Sequence, residues 1–171
     1  MDENENVRSS AASALGKQST PPEAVIQSLI SALKDEKEVV RSSAALALCS
    51  QSTLSEEAIQ SLIGALMDED KDVRSSAASA LDKQSTLSEA AIQSLIGVLK
   101  DENGVVSFSA ALALGKESTL SEAVVQSLIG ALKDEDAKVR SSAASALGSQ
   151  STLSEAAIQS LIGALMDEDK D

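Results

Sequence analysis

Apolar residues along this chain recur at helical spacing, in paired bursts separated by short polar segments. Between Asp35 and Met67 one stripe is marked by Val40, Ala44, Ala47 and Leu48 and a second by Ile59, Leu62, Ile63 and Leu66. This is the i, i+3, i+4 pattern of an amphipathic helix, seen twice in succession. The segment between them, Ser52-Thr53-Leu54-Ser55-Glu56, has Thr-x-x-Glu spacing. That spacing predicts a capping box, with Thr53 capping the second helix and Glu56 reaching back to the cap amide.

The two-helix unit repeats with strict 33-residue spacing from Asp2 through Asp35, Asp68 and Asp101 to Asp134, and a sixth copy opens at Asp167. A fixed period of this length is the signature of a solenoid, in which each unit buries its apolar face only by stacking on its neighbours. The expected fold is all-α: an α-α superhelix, or solenoid, of ten helices in a right-handed rod. Its repeats are 2–34, 35–67, 68–100, 101–133 and 134–166, with 167–171 starting another, all in one domain spanning 1–171.

The same caps recur in every copy. Capping boxes are expected at Thr20/Glu23, Thr53/Glu56, Thr86/Glu89, Thr119/Glu122 and Thr152/Glu155, with Pro21 just inside the first. First helices should start after Asn4, Lys37, Asp70, Asn103 and Asp136, all good caps except the lysine. They should end near Gly16, Gly115 and Gly148, where glycine would supply a left-handed turn; Cys49 and Asp82 at the equivalent place suggest two turns built differently. Gly64, Gly97, Gly130 and Gly163 fall inside the second helices, each at a cost of about 1 kcal/mol relative to Ala. Close helix approach, duplication of one ancestral unit, or a shallow ligand groove would each account for them.

The period alone does not separate repeat families, but residues do. With no histidine there is no ankyrin Thr-Pro-Leu-His signature, and with no Trp or Tyr there is no tetratricopeptide pattern. The run from Asp134 to Gly148, Asp-Glu-Asp-Ala-Lys-Val-Arg-Ser-Ser-Ala-Ala-Ser-Ala-Leu-Gly, resembles the short HEAT-like units also found in bilin-lyase-type proteins, and the likeness extends over the whole chain. In its near-identical tandem copies the chain is also similar, more loosely, to the repeat arrays of fungal NACHT-type immune receptors.

The HEAT resemblance implies a ladder of aspartates and arginines tying neighbouring units together. Asp2/Arg8, Asp35/Arg41, Asp68/Arg74 and Asp134/Arg140 have the spacing, whereas Ser107 stands opposite Asp101, so one rung should be missing. It also implies that the second helices line a concave side, there presenting Gln27, Gln60, Gln93, Gln126 and Gln159, each followed by Ser28, Ser61, Ser94, Ser127 or Ser160. Such a ribbon offers uncharged donors and acceptors to an extended peptide, or is simply what duplication leaves.

Even-numbered copies differ from odd ones. Val39 and Val105, Leu46 and Leu112 replace polar residues, and in the fourth copy Val105, Phe108 and Leu112 form one apolar stripe at i, i+3 and i+7. The stripe is either a half-buried second row between first helices or a docking patch.

Composition narrows the function classes. Only 1% of residues are aromatic against 43% hydrophobic, so the core must be built from Ala, Leu, Ile and Val. A net charge of −13 disfavours nucleic acid and favours basic partners. The turns Asp35-Glu36, Asp68-Glu69-Asp70, Asp101-Glu102, Asp134-Glu135-Asp136 and Asp167-Glu168-Asp169 should stack into an acidic ridge, for solubility or for docking a basic partner. Asp68 to Asp72, and again Asp167 to Asp171, opens like a calcium loop, but Val73 and Ser79 stand where glycine and a bidentate glutamate are required. Cys49 is the single cysteine, and no nucleophile, base and orienter occur together.

The expected function is therefore a non-catalytic protein–protein interaction scaffold without cofactor or metal, cytoplasmic, with no membrane segment. It would bind a protein or peptide that the sequence does not name, as the ligand-sensing repeat region of a larger receptor. An accessory subunit of a tetrapyrrole (bilin) lyase and a purely structural or designed array are the alternatives. The terminal helices lack polar outer faces, so end-to-end self-association is also expected.

Overall fold

The computed structural model describes residues 2–18, 20–51, 53–84, 87–116 and 120–166. Among these, ten α-helices and no strand occur: α1 (Glu5–Gly16), α2 (Glu23–Ala32), α3 (Glu38–Cys49), α4 (Glu56–Ala65), α5 (Lys71–Asp82), α6 (Glu89–Gly97), α7 (Gly104–Gly115), α8 (Glu122–Ala131), α9 (Ala137–Gly148) and α10 (Glu155–Met166). A single 3-10 turn, Val98–Lys100, extends α6. First and second helices alternate, each class recurring at one repeat period, so the fold is the all-α repeat architecture expected. The chain divides into two compact units, Met1–Ser94 and Leu95–Asp171.

Within the first unit, α3 packs on α1 and α5, while α2 lies against α3 and α4 against α5. Within the second, α9 packs on α7 and α8, and α10 lies beside α8. The layers between first helices consist of Val40, Ala44 and Leu48 in one repeat and Val73, Ala77 and Leu81 in the next, all fully buried. Second helices contribute Leu29, Leu62 and Leu128 to the same cores. Alanine at every third or fourth position lets helix axes approach closely, which makes a core without aromatic rings possible.

The first-helix caps stand where expected. The side chains of Asn4, Asp70, Asn103 and Asp136 accept amide protons from the first turn, and Lys37 occupies the same place without a side-chain bond.

The second-helix caps do not. Glu56 and Glu155 are the first residues of their helices rather than the third, and Thr53 and Thr152 lie outside them. The serine just before the helix caps it: Ser55 accepts from the amide of Ala58, Ser88 from Ala91 and Ser154 from Ala157, each at 3.3 Å. In the first repeat Thr20 is likewise outside, and Pro22 precedes Glu23. Thr86 and Thr119 lie outside the described residues.

A neighbouring repeat accounts for the shift. The Leu54 amide, just ahead of the serine cap, donates to Oε1 of Gln84 at 3.0 Å, and Leu120 does the same to Gln150 at 3.1 Å. Gln84 is buried and also donates to the carbonyl of Gln51, which in turn donates to that of Gln18. Gln18, Gln51 and Gln84 thus form a ladder along the first unit, one residue per repeat.

Glycine at the first-helix ends also has a different role from the one expected. No described residue has positive φ, and the residues that follow, Lys17, Ser50, Lys83, Lys116 and Ser149, are all right-handed. The turns after Cys49 and Asp82 are therefore built like the others. A Cβ on Gly16 would stand 2.6 Å from Cα of Ala47, and one on Gly115 would stand 2.8 Å from Cα of Ala146. Both distances lie inside van der Waals contact, so these glycines permit close approach between consecutive first helices.

Candidate functional site

The second helices carry the candidate ribbon, and i, i+4 geometry alters its chemistry. Each glutamine amide donates to the glutamate one turn earlier: Gln27 to Glu23, Gln60 to Glu56, Gln93 to Glu89, Gln126 to Glu122 and Gln159 to Glu155, at 2.8–3.0 Å. Gln27 also reaches Glu57 of the next second helix at 2.8 Å. Ser28, Ser61, Ser127 and Ser160 turn their hydroxyls onto the carbonyl four residues back. Ser94 is half-buried. The ribbon is therefore not the neutral mixture of donors and acceptors expected. At least one amide proton of each glutamine goes to a carboxylate and the serine hydroxyls turn inward, so acceptor oxygens outnumber the donors that remain.

A shallow groove lies on these faces in each compact unit. The first, about 470 Å³, runs between α2 and α4 and is lined by Ile30, Leu33, Lys34, Glu57, Gln60, Ser61, Gly64 and Ala65, with Asp68 at its end. The second, about 480 Å³, is lined by Leu132, Lys133, Gln159, Ser160, Gly163 and Ala164, between the end of α8 and α10. Lys34 and Lys133, Gln60 and Gln159, Ser61 and Ser160, Gly64 and Gly163 are equivalent positions of the repeat.

Gly64, Gly130 and Gly163 do not serve close packing. A Cβ built on Gly64, Gly130 or Gly163 meets nothing within 4 Å. Their effect is to leave the groove floor open along a strip of backbone, at the helix-propensity cost noted above.

The aspartate–arginine ladder is present and its geometry is resolved. Arg8 donates Nε and Nη2 to the two carboxylate oxygens of Asp35, both at 2.8 Å, and Arg41 grips Asp68 at 2.7 and 2.8 Å. The pairing runs from one repeat to the next. Within a repeat, Nη1 of Arg8, Arg41, Arg74 and Arg140 binds the carbonyls of Asp2, Asp35, Asp68 and Asp134.

The Arg8 bond holds the Asp35 carboxyl below its usual range against the opposing effect of burial. Burial pushes the Asp68 carboxyl up, but the Arg41 fork and the Asp70 amide outweigh it and leave the value lowered. In the fourth repeat Ser107 keeps only the internal bond, to the carbonyl of Asp101 at 3.0 Å. The Asp134 carboxylate then takes the Asp136 amide and no arginine fork from Ser107's position.

Other candidates are placed differently. Val105, Phe108 and Leu112 are exposed along α7, as Val39 and Leu46 are along α3. At 49%, 41% and 37% exposure the three side chains of the α7 stripe are each partly buried and partly open to solvent, as a half-buried row and a docking patch both require. The calcium-like opening is committed elsewhere, since Asp68 pairs with Arg41 and Asp70 caps α5; Asp167 to Asp171, with the last turn of the acidic ridge, lie outside the described residues. Cys49 is half-buried, its thiol directed to the carbonyl of Ser79 at 3.5 Å. No helix among the described residues is long and apolar enough to cross a membrane.

Sequence reasoning missed Glu57, which links α2 to α4 through Gln27, and the buried glutamine ladder. The signal for the ladder was available in Gln18, Gln51, Gln84 and Gln150, which sit at the same repeat position.

A family model described as HEAT repeats matches residues 1–82, 26–115, 59–148 and 92–171. A comparison with curated protein sequences finds no match. Among solved structures, an engineered protein is similar at TM-score 0.65 and 22% identity, over 96% of this chain and 83% of its own. The complex of CpcE and CpcF of phycocyanin lyase from Nostoc sp. PCC7120 is similar at TM-score 0.72 and 24% identity, over 87% of this chain and 61% of that one. A designed armadillo repeat protein in complex with the peptide (KR)4 aligns at TM-score 0.61 and 20% identity, over 91% and 79%. The looser likeness to NACHT-type arrays finds no support in these matches.

Proposed function

From the premise that this chain belongs to the HEAT repeat family, we propose that it is a non-catalytic protein-interaction module that takes an extended, basic peptide along its second-helix faces. The observation that carries this is the recurrence of one groove in both compact units, built from the same repeat positions and floored by Gly64 and Gly163. Each unit thus offers the same subsite to an extended peptide segment. Open glycine backbone suits a ligand that must come close.

The choice of basic peptide follows from the chemistry of the rim. Glu23, Glu56 and Glu155 hold the glutamine amides, so the faces offer carboxylate and carbonyl oxygens to incoming donors. The chain's charge of −13 adds a long-range field of the same sense. Lys34 and Lys133 at the groove ends would confine cationic side chains to the glutamate side. That a designed armadillo protein of similar fold holds a lysine–arginine peptide makes such a peptide a sensible first probe. The lone free cysteine, Cys49, suits a reducing compartment such as the cytoplasm.

The test is fluorescence anisotropy with a labelled alternating Lys-Arg octapeptide against an all-Glu control, on wild type and on Gly64→Met with Gly163→Met. Because a side chain at either glycine enters open space, the double variant should fold normally. The reading requires binding of the basic peptide alone, weakened about tenfold or more, that is by at least 1.4 kcal/mol, when the grooves are filled. Equal binding by wild type and variant would exclude the grooves. Co-purified pigment would point instead to a lyase subunit.

A further inference from the structure

Two boundaries between successive turns of the first unit are filled by a guanidinium. Arg8 spans from the carbonyls of Asp2 and Glu3 to the carboxylate of Asp35, and Arg41 from the carbonyls of Asp35 and Glu36 to the carboxylate of Asp68. A second carboxylate stands beside each, Glu36 at 3.9 Å from Arg8 and Glu69 at 3.8 Å from Arg41.

The boundary between the turns at Asp101 and Asp134, inside the second unit, lacks the side chains that cross the other two. Ser107 replaces the arginine and is fully buried, its hydroxyl donating to the carbonyl of Asp101 at 3.0 Å. Gly104 stands where Glu5 approaches Lys37 in the first repeat, and a Cβ on it would collide with Oδ2 of Asp136. The acceptors across the boundary are nevertheless kept. Asp134 and Glu135 are the equivalents of Asp68 and Glu69, and the Asp136 amide orients Asp134 at 3.0 Å as the Asp70 amide orients Asp68 at 2.9 Å.

Between these turns lies a cleft of about 430 Å³, lined by Asp101, Glu102, Gly130, Asp134, Glu135 and Asp136. Lys100 and Lys133 also line it, both exposed, so its carboxylates outnumber its ammonium groups. Among the described residues no group of acidic side chains converges closely enough to hold a metal ion. A flat cation that makes two parallel bonds to one carboxylate and reaches a second beside it fits better, and Asp35 and Asp68 hold such a cation at the equivalent place.

We propose that this cleft binds the guanidinium of an arginine side chain presented by a partner peptide, which supplies from outside the fork that the fourth repeat lacks. The guanidinium donates two parallel bonds to Asp134, with Glu135 beside it. Lysine, a compact ammonium, does not make the fork. The carboxylates involved belong to the turns, so the site does not depend on the second-helix grooves.

Backbone amide NMR of the full labelled chain tests this, with N-acetyl-argininamide and N-acetyl-lysinamide titrated in parallel at constant ionic strength. The arginine compound should give saturable shifts at Asp134, Glu135 and Asp136, and the lysine compound should bind at least tenfold more weakly. The turn from Asp68 to Asp70, which already holds Arg41, should not move. Asp134→Asn, which keeps an oxygen for the Asp136 amide, and Ser107→Arg, which fills the cleft from within, should each weaken binding tenfold or more. Ser145→Lys makes the same change of net charge at an exposed position of α9 and should leave binding intact. Shifts that do not saturate, an equal response to the two compounds, or equal movement of the Asp68 turn would overturn the proposal. So would an Asp134→Asn variant that binds like wild type, or a Ser145→Lys variant that loses binding as Asp134→Asn does.

Discussion

Arg8 holds Asp35 across a repeat boundary through two parallel hydrogen bonds of 2.8 Å each, and Arg41 repeats the grip on Asp68 one period later. A planar guanidinium matches a carboxylate in this way at both oxygens at once, so the bond fixes the relative position of consecutive repeats as well as attracting them. Lysine in either place would keep the charge and lose the geometry.

The first expectation concerns pH. The folded Asp35 carboxyl lies below its unfolded value, so its contribution to stability is present above that value, about pH 4, and is lost as pH falls through the lower folded one. Asp35→Asn should melt well below wild type at neutral pH, and the difference should close in strong acid. Comparing the two proteins at each pH removes the general effect of relieving repulsion among the other carboxylates. A difference that does not change with pH would contradict this.

Restoring the missing rung should stabilise the second unit. Ser107→Arg would offer the Asp134 carboxylate the fork that Asp35 and Asp68 already receive. With the guanidinium partly shielded, a gain on the order of 1 kcal/mol is expected in denaturant unfolding. A loss of stability would show that Ser107, which is fully buried, has been repacked around its smaller volume.

Gln84→Leu should be costly because the glutamine serves two repeats. Its removal leaves the Leu54 amide and the Gln51 carbonyl without their partner, at a cost of about 1–3 kcal/mol. Hydrogen exchange at Leu54 should accelerate more than at Ile59, inside the neighbouring helix. Unchanged protection at Leu54 would refute the ladder.

Two glycines should respond in opposite ways. Gly16→Val forces a branched side chain against the Ala47 backbone and should destabilise by about 1–3 kcal/mol. Gly64→Ala enters open space inside a helix and should stabilise by up to about 1 kcal/mol. Thermal melts of the two variants check both signs.

Much of this was legible in the sequence because a repeat states its own register five times over. The apolar stripes placed every helix, Asn4, Asp70, Asn103 and Asp136 marked the first-helix starts, and Ser107 marked the lost rung. What failed shares one cause: both errors concern short segments whose form is decided by the next repeat. Thr53 and Ser55 are equally good caps on paper, and the bond from Leu54 to Gln84, thirty positions away, selects the serine. Gly16 fits a left-handed turn as well as it fits Ala47, and only packing distinguishes them. The candidate face was located by pattern, but its acceptor-rich character depends on the pairing of each glutamine with its own helix's glutamate. Those two side chains looked independent in sequence.

The grooves can be distinguished from the exposed Val105, Phe108 and Leu112 stripe by backbone amide NMR of the labelled chain titrated with the Lys-Arg octapeptide. Shifts should concentrate at Gln60, Ser61 and Gly64 and at their equivalents Gln159, Ser160 and Gly163, and should saturate together. Saturable shifts centred on Val105, Phe108 and Leu112, with the two glycine strips unmoved, would contradict the assignment of the second-helix faces as the binding surface.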